Sequence, residues 1–264
     1  MAVRPRRARV DGPRYARHFL ASAAVADAIV EDACVGNGEL VLDLGAGRGM
    51  LTAPLVQRGA RVVALELDPD SAAALRRRFR DVKVVEGDLL QVVLPREPFR
   101  VVANLPFHLA NDVLRALLDD SRIPLERADV IVEWGMAVKR AAVWPSTMRG
   151  VVWGARYRFS VSRHLPPSAF RPPPKAEAGV LTIVRRETPL VSDSRFDAFV
   201  AKGFRHGLRS VGSRSELRRL RIGQSAAARD LDVHAWATLF EAVSASVVRP
   251  GKGAQAGRGR SPRP

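Results

Sequence analysis

Cysteine is almost missing from this chain. Cys34 is the single one in 264 residues, so no intrachain disulfide can form and no cysteine cluster can hold a metal. No apolar run approaches the roughly 18 residues that a membrane-spanning helix needs. The N-terminal stretch MAVRPRRARVDGPRYARHFL is basic and lacks the apolar block of a secretory signal, which makes the cytoplasm the expected compartment. Lysine is scarce as well, five against 38 arginines, a bias that a high-GC genome produces. What remains is a chain with 47% apolar residues. That is enough for a large core, and it excludes a disordered chain, a collagen-like chain and a disulfide scaffold.

The net charge is +16, and it is unevenly placed. Residues 1–17 carry +5, residues 249–264 carry +5, and residues 151–190 and 191–248 carry +5 and +3. Residues 18–150 carry −2. A basic periphery around a balanced centre fits a polyanion, most simply nucleic acid.

Both ends mix Arg with Gly, Pro or Ser without an apolar period, so 1–17 and 249–264 are expected to be basic disordered segments. Between them short apolar runs alternate with helical patterns. Strands are expected at Leu40–Leu44, Arg61–Leu67, Lys83–Glu86, Arg100–Ala103 and Val130–Glu133. Helices are expected over Ala23–Ala33, Met50–Gln57, Ser71–Phe79 (with Ser71 as its N-cap) and about Leu109–Leu118. Such alternation predicts an α/β fold, a parallel sheet with helices on both faces. Tyr157–His164 and Val180–Val184 then suit a closing antiparallel pair. From Asp193 the pattern turns helical, so the domains expected are 18–187 and a small helical one over 188–248. The four tryptophans, Trp134, Trp144, Trp153 and Trp236, are expected in the core.

At the first strand-to-helix turn stands Asp43-Leu44-Gly45-Ala46-Gly47-Arg48-Gly49. Glycines there let backbone approach a ligand. The dinucleotide pattern G-x-G-x-x-G needs a third glycine at position 50, which is Met50, and no phosphate-binding G-x-x-x-x-G-K-[ST] occurs. The loop instead resembles that of S-adenosylmethionine-dependent methyltransferases, whose cofactor has no pyrophosphate. Glu66 ends the next strand, where a carboxylate can accept from both hydroxyls of a ribose, and Asp88 ends the third, where one can accept from an adenine amino group.

The fourth strand ends in Asn104-Leu105-Pro106-Phe107. This resembles the [ND]-P-P-[YF] motif of enzymes that methylate exocyclic amino groups of bases. The lone pair of adenine N6 is conjugated with the ring and attacks poorly. Accepting its two N–H groups, one on the Asn104 side-chain oxygen and one on the Leu105 carbonyl, localises that pair and strengthens as the nitrogen turns positive. Pro106 fixes the backbone direction and Phe107 offers a face to the base. Arg17-His18-Phe19-Leu20 and Phe170-Arg171-Pro172-Pro173-Pro174 complete the set in order. Together these motifs resemble the Erm and KsgA family of rRNA adenine N6-methyltransferases over residues 14–245, and most resemble the actinobacterial Erm branch.

The resemblance implies a Rossmann-like class I methyltransferase domain followed by a small helical domain. It implies S-adenosylmethionine as cofactor, held by His18, Leu20, Gly45, Gly47, Glu66, Asp88, Leu89 and Asn104. It implies catalysis by Asn104, Leu105, Pro106 and Phe107, with the target base stacked between Phe107 and Phe170. Position 17 is Arg where the family has Gln, and Ala176 and Ala178 replace the family's frequent Val and Ser. His108 stands open between a place in the base pocket and one in solvent. On the helical domain Arg205, Arg209, Arg214, Arg218 and Arg219, with Lys202 and Arg221, are the expected rRNA contacts. The chain is expected to act as a monomer on rRNA, 23S favoured, without metal or membrane. The target is 23S adenine methylation with macrolide, lincosamide and streptogramin B resistance; the alternatives are 16S dimethylation and a non-catalytic RNA-binding factor.

Overall fold

A computed structural model describes residues 18–248, so both expected basic end segments lie outside the described residues. The described residues divide into two compact units, one of residues 18–145 and 156–189 and the other of residues 146–155 and 190–248.

The first unit is built on a seven-stranded sheet. Its strands are β2 (Leu40–Leu44), β3 (Arg61–Glu66), β4 (Lys83–Glu86), β5 (Phe99–Asn104), β6 (Leu125–Glu133), β7 (Tyr157–Leu165) and β9 (Ala178–Arg185), in the order β4-β3-β2-β5-β6-β9-β7. The five strands from β4 to β6 are parallel, and β9 runs antiparallel between β6 and β7. All five residues of β2 are buried, as a strand covered on both faces must be. Helices α1 (Ala23–Asp32), α2 (Thr52–Gln57), α3 (Pro69–Arg78), α4 (Ala110–Leu118) and α5 (Trp134–Ala141) fill the connections.

Helix α3 starts earlier than its sequence indicates. Asp68, not Ser71, is the N-cap: its carboxylate accepts from the Ser71 amide at 3.2 Å and from the Ser71 hydroxyl at 2.6 Å. Pro69 takes the first helical position, where its fixed φ suits the helix and its missing N–H costs nothing.

A separate two-stranded ribbon joins β1 (Phe19–Leu20) to β8 (Phe170–Arg171), antiparallel, with Phe19 opposite Arg171 and Leu20 opposite Phe170. It unites two motifs 150 residues apart in the chain.

The second unit holds α7 (Phe196–His206), α8 (Arg214–Arg219) and α9 (Val233–Val248), together with residues 146–155, most of helix α6 (Met148–Arg156). A boundary drawn along the sequence near 187 leaves that helix with the sheet. Packing explains its place: Gly154 lies so close to Val233 that a Cβ there would meet Val233 Cγ2 at 2.7 Å. Trp236 anchors the unit, fully buried, stacked on Phe204 with centroids 5.6 Å apart and donating to the Ala228 carbonyl at 3.1 Å. Among the described residues no helix is long and apolar enough to cross a membrane.

Candidate active site

In a sheet of order 4-3-2-5-6, successive connections leave in opposite directions from β2 and β5, and a crevice opens at the carboxyl ends of those strands. Gly45 follows β2 and Asn104 ends β5. Gly45 has φ +79°, and a Cβ there would stand 3.8 Å from the Asn104 carbonyl oxygen. The crevice is a cleft lined among others by His18, Gly45, Glu66, Asp88, Asn104 and Phe107.

The glycine loop is not a phosphate cradle. Such a loop points its amides at the ligand. Here the amides of Gly45 and Ala46 both donate to the Leu65 carbonyl, at 2.8 and 3.0 Å, and the Gly49 amide donates to the Ala46 carbonyl at 2.9 Å. The Gly47 amide donates to Glu66 Oε2 at 2.8 Å. The other Glu66 oxygen accepts from the Asp68 amide at 2.9 Å. Two backbone donors thus hold this buried carboxylate in one orientation at the cleft wall. Asp88 caps the short turn after β4, its Oδ1 accepting from the Leu90 amide at 3.0 Å.

Beneath the loop lies Asp43, fully buried, its Oδ2 accepting from the Thr52 hydroxyl at 2.6 Å. Its Oδ1 has no hydrogen-bond partner among the described residues. Burial, aided by the nearby charge of Glu66 and opposed by the Thr52 bond, pushes the Asp43 carboxyl up to about 7.

Three separate motifs meet at Asn104. Its Nδ2 donates to the His18 carbonyl at 2.7 Å. The His18 ring in turn binds the Pro172 carbonyl through Nδ1 at 2.8 Å. A carbonyl only accepts, so Nδ1 carries the proton. The His18 and Phe107 rings lie 6.1 Å apart. The Leu105 amide is fixed to the Ile131 carbonyl at 3.2 Å, and the carbonyls of Pro106 and Phe107 accept from Leu109 and Ala110 in the turn into α4.

Most of the expected residues come together, but two face elsewhere. Leu20 and Phe170 are paired across the β1–β8 ribbon, share one face of it and pack in the core. Phe170 is 1% exposed, so its ring is not presented to a base as the sequence led us to expect. Phe19, on the opposite face, lines the cleft instead. Gly47 serves the cleft through Glu66. Leu67, His108 and Leu109 also line it. Leu67 carries a signal in sequence, an apolar side chain in the turn directly after a strand-ending acid.

The family model for ribosomal RNA adenine dimethylase matches residues 11–242. The chain belongs to that family. Its class of activity follows from that membership, methyl transfer to adenine of ribosomal RNA. The mycinamicin-resistance protein MyrB of Micromonospora griseorubida is 34% identical over 263 residues, covering 94% of this chain and 83% of that one. The ribosomal RNA small subunit methyltransferase A of a Synechococcus species is 32% identical over 255 residues, covering 86% and 91%. The crystal structure of the 23S rRNA methyltransferase ErmE superposes with a TM-score of 0.76 at 25% identity, over 86% of this chain and 99% of that one. In this member of the family, the five arginines Arg205, Arg209, Arg214, Arg218 and Arg219 are all exposed on the helical unit. Among the described residues no cluster of His, Cys, Asp and Glu could hold a metal ion.

Proposed function

We propose that this chain transfers a methyl group from S-adenosylmethionine to N6 of an adenine in the macrolide-binding region of 23S rRNA, and so confers macrolide, lincosamide and streptogramin B resistance. The observation that carries the chemistry is the Asn104–His18 hydrogen bond. Anchoring Nδ2 on a backbone carbonyl fixes which end of the amide is the acceptor, and Oδ1 of Asn104 is then available to one N–H of the target amine.

The cleft fits the cofactor by its donor set. A glycine loop with inward-turned amides accommodates a ribose and an amino-acid tail rather than a phosphate. Glu66 would accept from the ribose hydroxyls, Asp88 and the Leu89 backbone would meet the adenine, and His18 would lie along the tail. When bound, the cofactor supplies an electrophilic methyl group on a sulfonium.

The protein's part is orientation and electrostatics. Asn104 accepts from the attacking amine, and the Leu105 carbonyl takes its second N–H. The contact tightens as positive charge grows on nitrogen, so it stabilises the transition state more than the ground state. Phe107 stacks on the base, which must leave its own stack to enter. Arginines of the helical unit hold the RNA backbone, which positions the substrate without reading it.

The 23S assignment rests on the mycinamicin-resistance relative, whose likeness spans 94% of the chain. The small-subunit methyltransferase relatives favour a second reading, dimethylation of 16S rRNA. Primer extension on both rRNAs from cells expressing the protein separates the two. We expect a stop at the macrolide-site adenine of 23S; a stop only near the 3′ end of 16S would transfer the assignment. Equilibrium binding of S-adenosylmethionine tests the enzyme reading itself, and a chain that fails to bind it is no methyltransferase.

A further inference from the structure

The four tryptophans do not share one fate. Trp153 and Trp236 are fully buried, whereas Trp144 is 62% exposed. Val143, next to it in the chain, is 67% exposed, and Val138 of α5 is 46% exposed. Lys139, also exposed, and Arg140 stand in the last turn of α5 between them. An exposed indole with an exposed valine next to it in the chain is a surface that a partner can cover.

Its place in the fold connects it to the cleft. Helix α5 begins where β6 ends, and Ile131 of β6 pairs with Asn104 of β5, so the helix that precedes Trp144 starts from the carboxyl edge of the sheet. Arg140 Nη2 donates to Asn111 Oδ1 at 2.9 Å. Asn111 lies in the first turn of α4, two residues after the cleft-lining Leu109. One hydrogen bond thus ties the end of α5 to the rim that carries Phe107 and His108.

We propose that Trp144, with Val143 beside it, is a stacking platform for an unpaired base of the RNA near the target adenosine, and that Lys139 meets the adjoining phosphate. The occupant is RNA by charge and by chemistry. Every base has a π-face that an indole can take without reading sequence, and cations interleaved with the ring suit the backbone. An adenosine drawn out of its stack leaves its neighbours unstacked, and a ring at the rim replaces the contact they lose. This inference rests on the reading of the chain as an RNA methyltransferase.

The test uses the full chain and the rRNA fragment that it methylates. Direct binding of that fragment, its KM and the Kd for S-adenosylmethionine are measured for the wild type, Trp144→Ala, Trp144→Leu, Trp144→Phe and Lys139→Gln. Trp144→Ala and Trp144→Leu should weaken RNA binding about 5- to 100-fold with cofactor binding and thermal melting unchanged. Trp144→Phe should restore it to within about threefold, since a smaller aromatic face still stacks. Lys139→Gln should lower the slope of log K against log salt by about 0.7, the single-strand value for one phosphate, while the Trp144 variants leave that slope alone. Unchanged RNA binding in Trp144→Ala would overturn the proposal. So would full activity in Trp144→Leu, which would make the contact merely apolar, or a loss that tracks the breakdown of a dimer on sizing. If the wild type methylates no rRNA the functional reading fails, yet direct RNA binding still scores Trp144 on its own.

Discussion

The side chain of Asn104 donates to the main-chain carbonyl of His18 at 2.7 Å, across 86 residues of sequence. The bond gives the amide a handedness: nitrogen toward the protein, oxygen toward the acceptor pocket. Asn104→Ala removes the acceptor and should lower kcat by about 10²- to 10³-fold, the usual loss for one preorganised transition-state contact. Asn104→Asp is more telling. It keeps an acceptor oxygen but sets a carboxylate oxygen against the His18 carbonyl, where no hydrogen remains to bridge them. We expect it to be as inactive as the alanine variant, with S-adenosylmethionine binding largely retained in both. Single-turnover methyl transfer with calorimetric cofactor binding checks this, and an active Asp variant would remove Asn104 from its role.

Gly47 has φ +57°, and a Cβ there would meet Phe19 Cε1 at 2.9 Å. Gly47→Ala therefore carries two costs, the left-handed backbone, about 1 kcal/mol, and the displacement of a ring on the cleft wall. The Gly47 amide also orients Glu66, so the cofactor site should loosen with the loop. The expected outcome is a Tm lower by several degrees and a weaker Kd for S-adenosylmethionine, read by thermal melting with and without cofactor.

Asp43 makes stability depend on pH. Its carboxyl is raised from 3.8 to about 7 in the folded chain, chiefly by burial. Between those values the native state holds a proton that the unfolded state has lost. Stability from this group is therefore complete below pH 3.8 and falls as pH rises, until it levels off above about 7. Asp43→Asn keeps an oxygen for the Thr52 hydroxyl and removes the titration. The stability of the variant relative to the wild type should climb by about 1.4 kcal/mol per pH unit across that window. Denaturant unfolding at pH 5, 6, 7 and 8 measures the difference, and a constant offset would refute the assignment.

The sheet was legible because its strands leave short runs rich in Val and Leu: Leu40–Leu44, buried throughout, and Lys83–Glu86, an edge strand with exposed charged ends, have those bounds. Glycine and acid positions at strand ends were legible for the same reason, since a parallel sheet gathers such ends at one edge. Side-chain direction in a two-residue strand was not. Leu20 and Phe170 read as ligand contacts until their pairing shows that they share the inward face and leave Phe19 to the cleft. Nor does sequence reveal that a helix can cross between units. Residues 146–155 join the second unit through the bare surface of Gly154, a contact with a residue nearly 80 positions away. Trp144 escaped for a simpler reason: composition says that tryptophan is usually buried, and only the fold shows which one is not.

The basic face of the helical unit supplies the last prediction. Arg214 and Arg218 lie one turn apart on α8, both exposed and neither in an ion pair among the described residues. Helix α8 is secured independently by the Ser213–Glu216 capping box and by Leu217 in the core, so the arginines are not needed to hold it. Replacing both with Gln should leave melting and cofactor affinity unchanged. If each neutralises one phosphate, the slope of log K for rRNA against log salt should become shallower by about 1.4 to 1.8 in all. The weakening should be similar for target and non-target RNA, because phosphate contacts position a substrate and do not select it. Filter binding at four salt concentrations with both RNAs decides the point. An unchanged slope would mean that these arginines face water, and that the RNA backbone is held by other basic residues of the chain.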